Sequence, residues 1–172
     1  KLEIINYITF LTMHEFKEPK NKNIEKKYIS LIKQIDSLIS DENDIIGILS
    51  NVSAALFQTF NWLWVGFYIV KNNELVLGPF QGPVACFRIK KGDGVCGTTW
   101  AKQKTIIVPD VEKFPGHIAC SSESKSEIVL PIFKKEKTFG VLDIDSNKIN
   151  SFNEIDEKYL KQIISLIEKK LI

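Results

Sequence analysis

Three cysteines could supply a nucleophile or a ligand in this 172-residue chain, and Cys86, Cys96 and Cys120 sit in three different local settings. Cys86 lies between Ala85 and Phe87 in a run read as a short strand, where a thiol ordinarily serves as a small buried apolar residue. Cys96 falls in the first turn of a helix opened by Gly92-Asp93-Gly94. A helix N-terminus favours the thiolate, so local physics nominates Cys96 as the reactive sulfur; packing of that helix onto a sheet is the competing reading. Cys120 ends the stretch Phe114-Pro115-Gly116-His117-Ile118-Ala119-Cys120, inside an aperiodic segment from Pro109 to Ser126 that is long for a loop in a compact domain. A cysteine on a loop held by a scaffold is a better candidate for chemistry than one in a strand. His117, three residues before Cys120, is a base or ligand in one reading and a solvent-exposed loop residue in the plainer one. Zinc is disfavoured, because no close cysteine pair occurs and the other histidine, His14, is far away in the chain.

The carboxylates are the second constellation. Asp143 and Asp145 alternate within Val141-Leu142-Asp143-Ile144-Asp145, so a strand there points both to one face. Glu127 opens Glu127-Ile128-Val129-Leu130-Pro131 and would join them if it shares that face on a partner strand. Two acids in a Val/Leu/Ile run are costly to bury unless they bind something. Such a cluster suits an ammonium group or a metal cation, and it can hold one carboxyl protonated because like charges raise each other's pKa. A solvated edge strand is the alternative, and both readings stand on the residues alone.

These groups need a scaffold, and the composition permits an ordinary one. A length of 172 residues with 44% apolar and 26% charged residues describes a single globular domain that can fold without disulfides or metal. Net charge +2 and a single arginine, Arg88, argue against a dedicated nucleic-acid surface. The longest apolar run, Trp62–Val70, falls far short of the roughly 20 residues of a membrane span. Three is an odd number of cysteines, which disfavours a closed disulfide framework and favours a reducing, cytoplasmic setting.

Apolar periodicity predicts helices over Leu2–Leu11, Ile24–Ile39 and Asp44–Leu56. Strands follow at Trp62–Val70, Glu74–Phe80, Val84–Ile89, Thr105–Val108, Glu127–Phe133 and Thr138–Asp145, with a short helix from Val95 to Gln103 among them. Lys71-Asn72-Asn73 marks one hairpin and Lys134–Lys137 another. Ser151-Phe152-Asn153-Glu154 reads as a capping box for a last helix carrying Ile155, Tyr159, Ile163, Leu166 and Ile167. The order implies an α+β domain: an antiparallel sheet of five to six strands with N-terminal and C-terminal helices packed on one face. Residues 1–23 form a helical extension and residues 24–172 the domain.

With the elements placed, several segments resemble the free methionine-R-sulfoxide reductases, GAF-domain enzymes that reduce the R epimer of free methionine sulfoxide. They are ELVLGPFQGP at 74–83, GVCG at 94–97, VPDV at 108–111, FPGHIAC at 114–120, SEIVLP at 126–131 and GVLDIDS at 140–146. The resemblance implies a GAF-like fold, Cys120 as the attacking cysteine and Cys86 as its disulfide partner. Cys96 matches the third family cysteine, an alternative resolving or attacking residue. It also implies Glu127, Asp143 and Asp145 as the acidic substrate site, with Trp64 and Tyr68 in the methionine pocket. The family usually has Asn before that tryptophan, whereas Leu63 stands here and Asn61-Trp62 lies upstream.

The implied chemistry is attack of the Cys120 thiolate on the sulfoxide sulfur, with a proton from the acidic group for the oxygen. A sulfenic acid at Cys120 then condenses with Cys86. Thioredoxin, charged ultimately by NADPH, restores the dithiol without any metal or cofactor, and a homodimer is expected. A non-catalytic GAF sensor of small ligands and a thiol redox sensor are the alternatives.

Overall fold

The computed structural model describes residues 16–118 and 120–171. The expected helix Leu2–Leu11 lies outside them. The described chain opens on α1 (Ile24–Leu38) and α2 (Ile45–Phe60). Asn23 caps α1 by accepting from the Lys26 amide, and Asp44 caps α2 by accepting from Ile46 and Gly47. Asn61, in the left-handed region, ends α2 and turns the chain into the sheet.

Six strands follow: β1 (Trp64–Lys71), β2 (Glu74–Gln81), β3 (Arg88–Lys90), β4 (Ile106–Val108), β5 (Ser126–Lys134) and β6 (Lys137–Ser146). They form one sheet in the order β3-β2-β1-β6-β5-β4, every neighbouring pair antiparallel. Asn72 and Asn73, both at positive φ, make the two-residue β1–β2 turn, and the matching twist sets the strand register. The helix α3 (Gly94–Lys102) leads from β3 to β4, and α4 (Glu154–Glu168) closes the described chain.

Alternation along the strands divides the buried side chains into two clusters. Val65, Phe67, Ile69, Leu130, Leu142 and Ile144 face α1, α2 and α4 in the larger one. On the opposite face Trp64, Tyr68, Val129 and Val141 pack with Val95, Cys96 and Trp100 of α3. The terminal helices therefore lie together on one face, as the sequence implies, and the short α3 covers part of the other.

Two local expectations shift. The cap of α4 is Asn153, which accepts from Ile155 while Asp156 accepts from the Asn153 amide. Ser151 cannot cap, because its hydroxyl bonds Ser146 and the Lys148 carbonyl at the sheet edge. Asp156 also accepts from Tyr28 Oη at 2.8 Å, tying α4 to α1. The expected strand Val84–Ile89 is only Arg88–Lys90, so Cys86 stands in a loop rather than a strand. The Leu77 amide bonds the Phe87 carbonyl, the Trp64 indole donates to the Pro83 carbonyl and Tyr68 Oη donates to the Cys86 carbonyl. The Leu77 bond extends the β2–β3 pairing by one residue, and the Trp64 and Tyr68 bonds hold the rest of the loop over the second face of the sheet.

Candidate active site

The second face is built by register. Across β6, Asp145 stands opposite Glu127 on β5 and Trp64 on β1, while Asp143 stands opposite Val129 and Gly66. The three carboxylates therefore share one face of central strands, and the solvated-edge reading of Asp143 and Asp145 is overturned. Glu127 is 5% exposed and Asp143 7%. Tyr68, two residues along β1 from Gly66, extends the aromatic wall. Gly66 makes that wall possible, because a Cβ there would run into the Trp64 ring and the Phe80 Cβ. Trp64 stacks between Tyr68 and Phe80, whereas Trp62 stacks on Phe60 and meets Phe152 in the other cluster. Trp64 is thus the tryptophan of the cavity.

Two loops cover this face and are joined by a disulfide between Cys86 and Cys120, with Cα atoms 5.5 Å apart. Beneath them lies a cavity of about 40 Å³, lined among others by Trp64, Tyr68, His117, Glu127, Asp143 and Asp145. This is room for an ion or a few water molecules. Ser124 donates a short hydrogen bond to Asp145 Oδ1, and His117 Nε2 stands 3.7 Å from Glu127 Oε2. Cys96 is a free, buried thiol whose sulfur lies within 4.8 Å of oxygens of Glu127 and Asp143, which lie as close to each other.

Residues 42–169 match the GAF domain family. GAF domain-containing protein A of Dictyostelium discoideum is 63% identical over 145 residues, 84% of this chain and 92% of that protein. Free methionine-R-sulfoxide reductase of Escherichia coli is 43% identical over 145 residues, 84% of this chain and 88% of that one. The structure of free methionine-R-sulfoxide reductase from Neisseria meningitidis in complex with its substrate superposes with a TM-score of 0.90 at 45% identity, covering 92% of this chain and 96% of that one. The chain belongs to the free methionine-R-sulfoxide reductase family.

The electrostatics of the reductase site differ from what its local sequence suggests. Burial pushes Glu127 well above the carboxylate range, and the charges of Asp143 and Asp145 add to the shift. Asp143 is raised by burial and then by Asp145. Asp145 is raised by burial to about 6, with the Ser124 hydrogen bond acting against the shift. Cys96 is raised well above an ordinary thiol, first by burial and then by Asp143 and Glu127. Its nomination as the thiolate from the helix terminus is therefore corrected. A helix end contributes about 0.3–1 kcal/mol, too little against full desolvation beside two acids. His117 is not the exposed loop residue of the plainer reading: it lines the reductase cavity, and burial lowers its pKa. Ser124 escaped sequence reasoning, since one serine among Ser121-Ser122-Glu123-Ser124 carries no distinguishing signal.

Among the described residues no helix is long and apolar enough to cross a membrane.

Proposed function

We propose that the chain reduces free L-methionine-(R)-S-oxide to methionine with its own thiols, without a prosthetic group. Cys120 is the attacking residue: its thiolate adds to the sulfoxide sulfur while a carboxyl of the acidic group gives its proton to the oxygen. Methionine leaves reduced by two electrons, and Cys120 keeps the oxygen and that proton as a sulfenic acid. The Cys86 thiol then displaces the hydroxyl as water, forming the disulfide. Cys96 stands by as an alternative partner within the same cavity. The observation that carries this reading is the Cys86–Cys120 disulfide beside the cavity lined by the Glu127, Asp143 and Asp145 carboxyls.

The carboxyls divide by their environments. Glu127 and Asp143, whose carboxyls burial holds well above the ordinary carboxylate range, are the acids. Asp145, at about 6, is mostly ionised there and pairs with the ammonium of the free amino acid. A residue within a peptide has only an amide at that place. Trp64 and Tyr68 hold the methyl group and the polarised sulfur.

The disulfide returns to the dithiol by exchange with thioredoxin, which NADPH recharges. Val84 and Phe87, 87% and 80% exposed, flank Cys86 and leave that side open to a protein dithiol. We read the protein as cytoplasmic and homodimeric, with residues 24–172 as the GAF unit behind a 23-residue extension. Protein supplied with thioredoxin, thioredoxin reductase and NADPH will oxidise NADPH on addition of free methionine-R-sulfoxide. The S epimer and N-acetylmethionine sulfoxide will give no turnover. Equal rates with all three would overturn the substrate assignment.

A further inference from the structure

We propose that Cys96, Glu127 and Asp143 form a binding site for a thiophilic divalent cation of the Zn²⁺ type, taken up reversibly from solution and excluding substrate while bound. Its inhibitory consequence rests on the proposed function; the binding itself does not.

Three observations converge. The Cys96 sulfur and one oxygen from each of Glu127 and Asp143 lie within 4.8 Å of one another in buried surroundings. Ligands 2.0–2.3 Å from a tetrahedral zinc ion stand about 3.3–3.8 Å apart, so the three side chains close on the ion by rotations that bring their ligand atoms up to about 1.5 Å nearer. Independently, Asp143 Oδ1 is buried and has no hydrogen-bond partner among the described residues. Native proteins seldom leave a buried acceptor of this kind unused, and Asp143 lines the cavity that Cys96 and Glu127 also line. The third observation is His117, whose Nε2 is 3.7 Å from Glu127 Oε2 and which lines the same cavity. An imidazole is a usual zinc ligand, and His117 stands at the edge of the group that Cys96, Glu127 and Asp143 form.

The ligand set selects the metal. One thiolate, one imidazole and two carboxylates suit zinc and its borderline neighbours, whereas Mg²⁺ and Ca²⁺ require all-oxygen shells with more ligands. A cavity of about 40 Å³ admits an ion of this size. Binding releases the thiol and carboxyl protons to solvent, and no electrons move. An ion held there occupies the acids that the sulfoxide oxygen requires.

The test uses the full chain with its Cys86–Cys120 disulfide intact, so that only Cys96 can contribute a thiolate. Metal-stripped protein is titrated with Co²⁺ and then with Zn²⁺. One equivalent of Co²⁺ should bring a near-ultraviolet thiolate-to-cobalt band with the visible bands of a tetrahedral ion, and Zn²⁺ should abolish both. Cys96→Ser should lose the near-ultraviolet band, and Asp143→Asn should weaken binding at least about tenfold, the loss that even an outer-shell partner's removal can bring. Absence of the band in the wild type, or its persistence in Cys96→Ser, would overturn the site. If Cys96→Ser fails to fold, Cys96→Ala decides by the same criterion. In reduced wild-type protein, Zn²⁺ should slow single-turnover methionine formation and raise the sulfoxide concentration needed for half-maximal rate. A protein that forms no methionine even without metal would defeat the proposed function yet leave the cobalt spectrum to decide the site.

Discussion

The two faces of the sheet are made by the same six strands and obey opposite rules. Val65, Phe67, Ile69, Leu130 and Leu142 turn toward α1, α2 and α4 and bury only hydrocarbon. Offset by one or three residues along the same strands, Trp64, Tyr68, Glu127, Asp143 and Asp145 turn toward a small cavity under a disulfide-linked pair of loops. The first face gains free energy from burial. The second buries acids whose ionised forms are disfavoured there, a cost that a fold retains where chemistry needs groups poised to release or hold protons. The difference shows that the stabilising and reacting parts of this molecule are interleaved residue by residue, not assigned to separate segments.

The largest effect that could break this division is on turnover. Cys120→Ser should abolish methionine formation, while Cys86→Ser should form one methionine per chain rapidly and then turn over far more slowly through Cys96, with thioredoxin as sole reductant; rapid-quench assays distinguish the two. Unchanged activity in both variants would remove the disulfide from the mechanism. Next in size, Leu130→Ala on the helical face should cost about 2–5 kcal/mol in urea denaturation, with activity per folded molecule unaltered. A comparable loss of activity would mean that the faces are not separable.

The pH dependence sharpens the contrast. Asp145 titrates at about 6 in the folded chain against 3.8 as its ordinary value, so the native state binds the extra proton between those limits. Its contribution is most favourable below the lower value and is lost as pH rises through the upper one, a decline of about 3 kcal/mol. Asp145→Asn should flatten that part of the stability–pH curve measured by denaturation, and should raise KM for the free amino acid. A stability rise across the same interval would contradict the site's electrostatics. The smallest effect concerns the entry to α4: Asn153→Ala should cost about 1 kcal/mol of stability, and Glu154→Ala close to nothing. The reverse order would restore the Ser151 cap.

Much of the scaffold was legible along the chain because its signals are local. Apolar steps of three and four mark Tyr28, Leu31 and Ile35, and paired asparagines mark the β1–β2 turn. Alternation in β6 places Asp143 and Asp145 together, since side chains on a strand alternate regardless of its neighbours. The failures share a cause. Cys96 reads as a thiolate from its helix position, and only burial against Glu127 and Asp143 reverses its titration. Cys86 reads as a strand residue until aromatic hydrogen bonds from Trp64 and Tyr68 lift its loop off the sheet. The capping serine is diverted by bonds to Ser146 and Lys148, partners that its own helix does not contain.

By itself the sequence determined the α+β order, the shared face of Asp143 and Asp145, and through its motifs the reductase family. Propensity, period and short-range spacing suffice for these. The tertiary structure decided which carboxyls are buried, that His117 faces Glu127, that Ser124 bonds Asp145, and that Trp64 rather than Trp62 walls the cavity. Proton affinity and ligand geometry depend on atoms brought together from distant strands and loops, and the order of residues along one strand does not contain those distances.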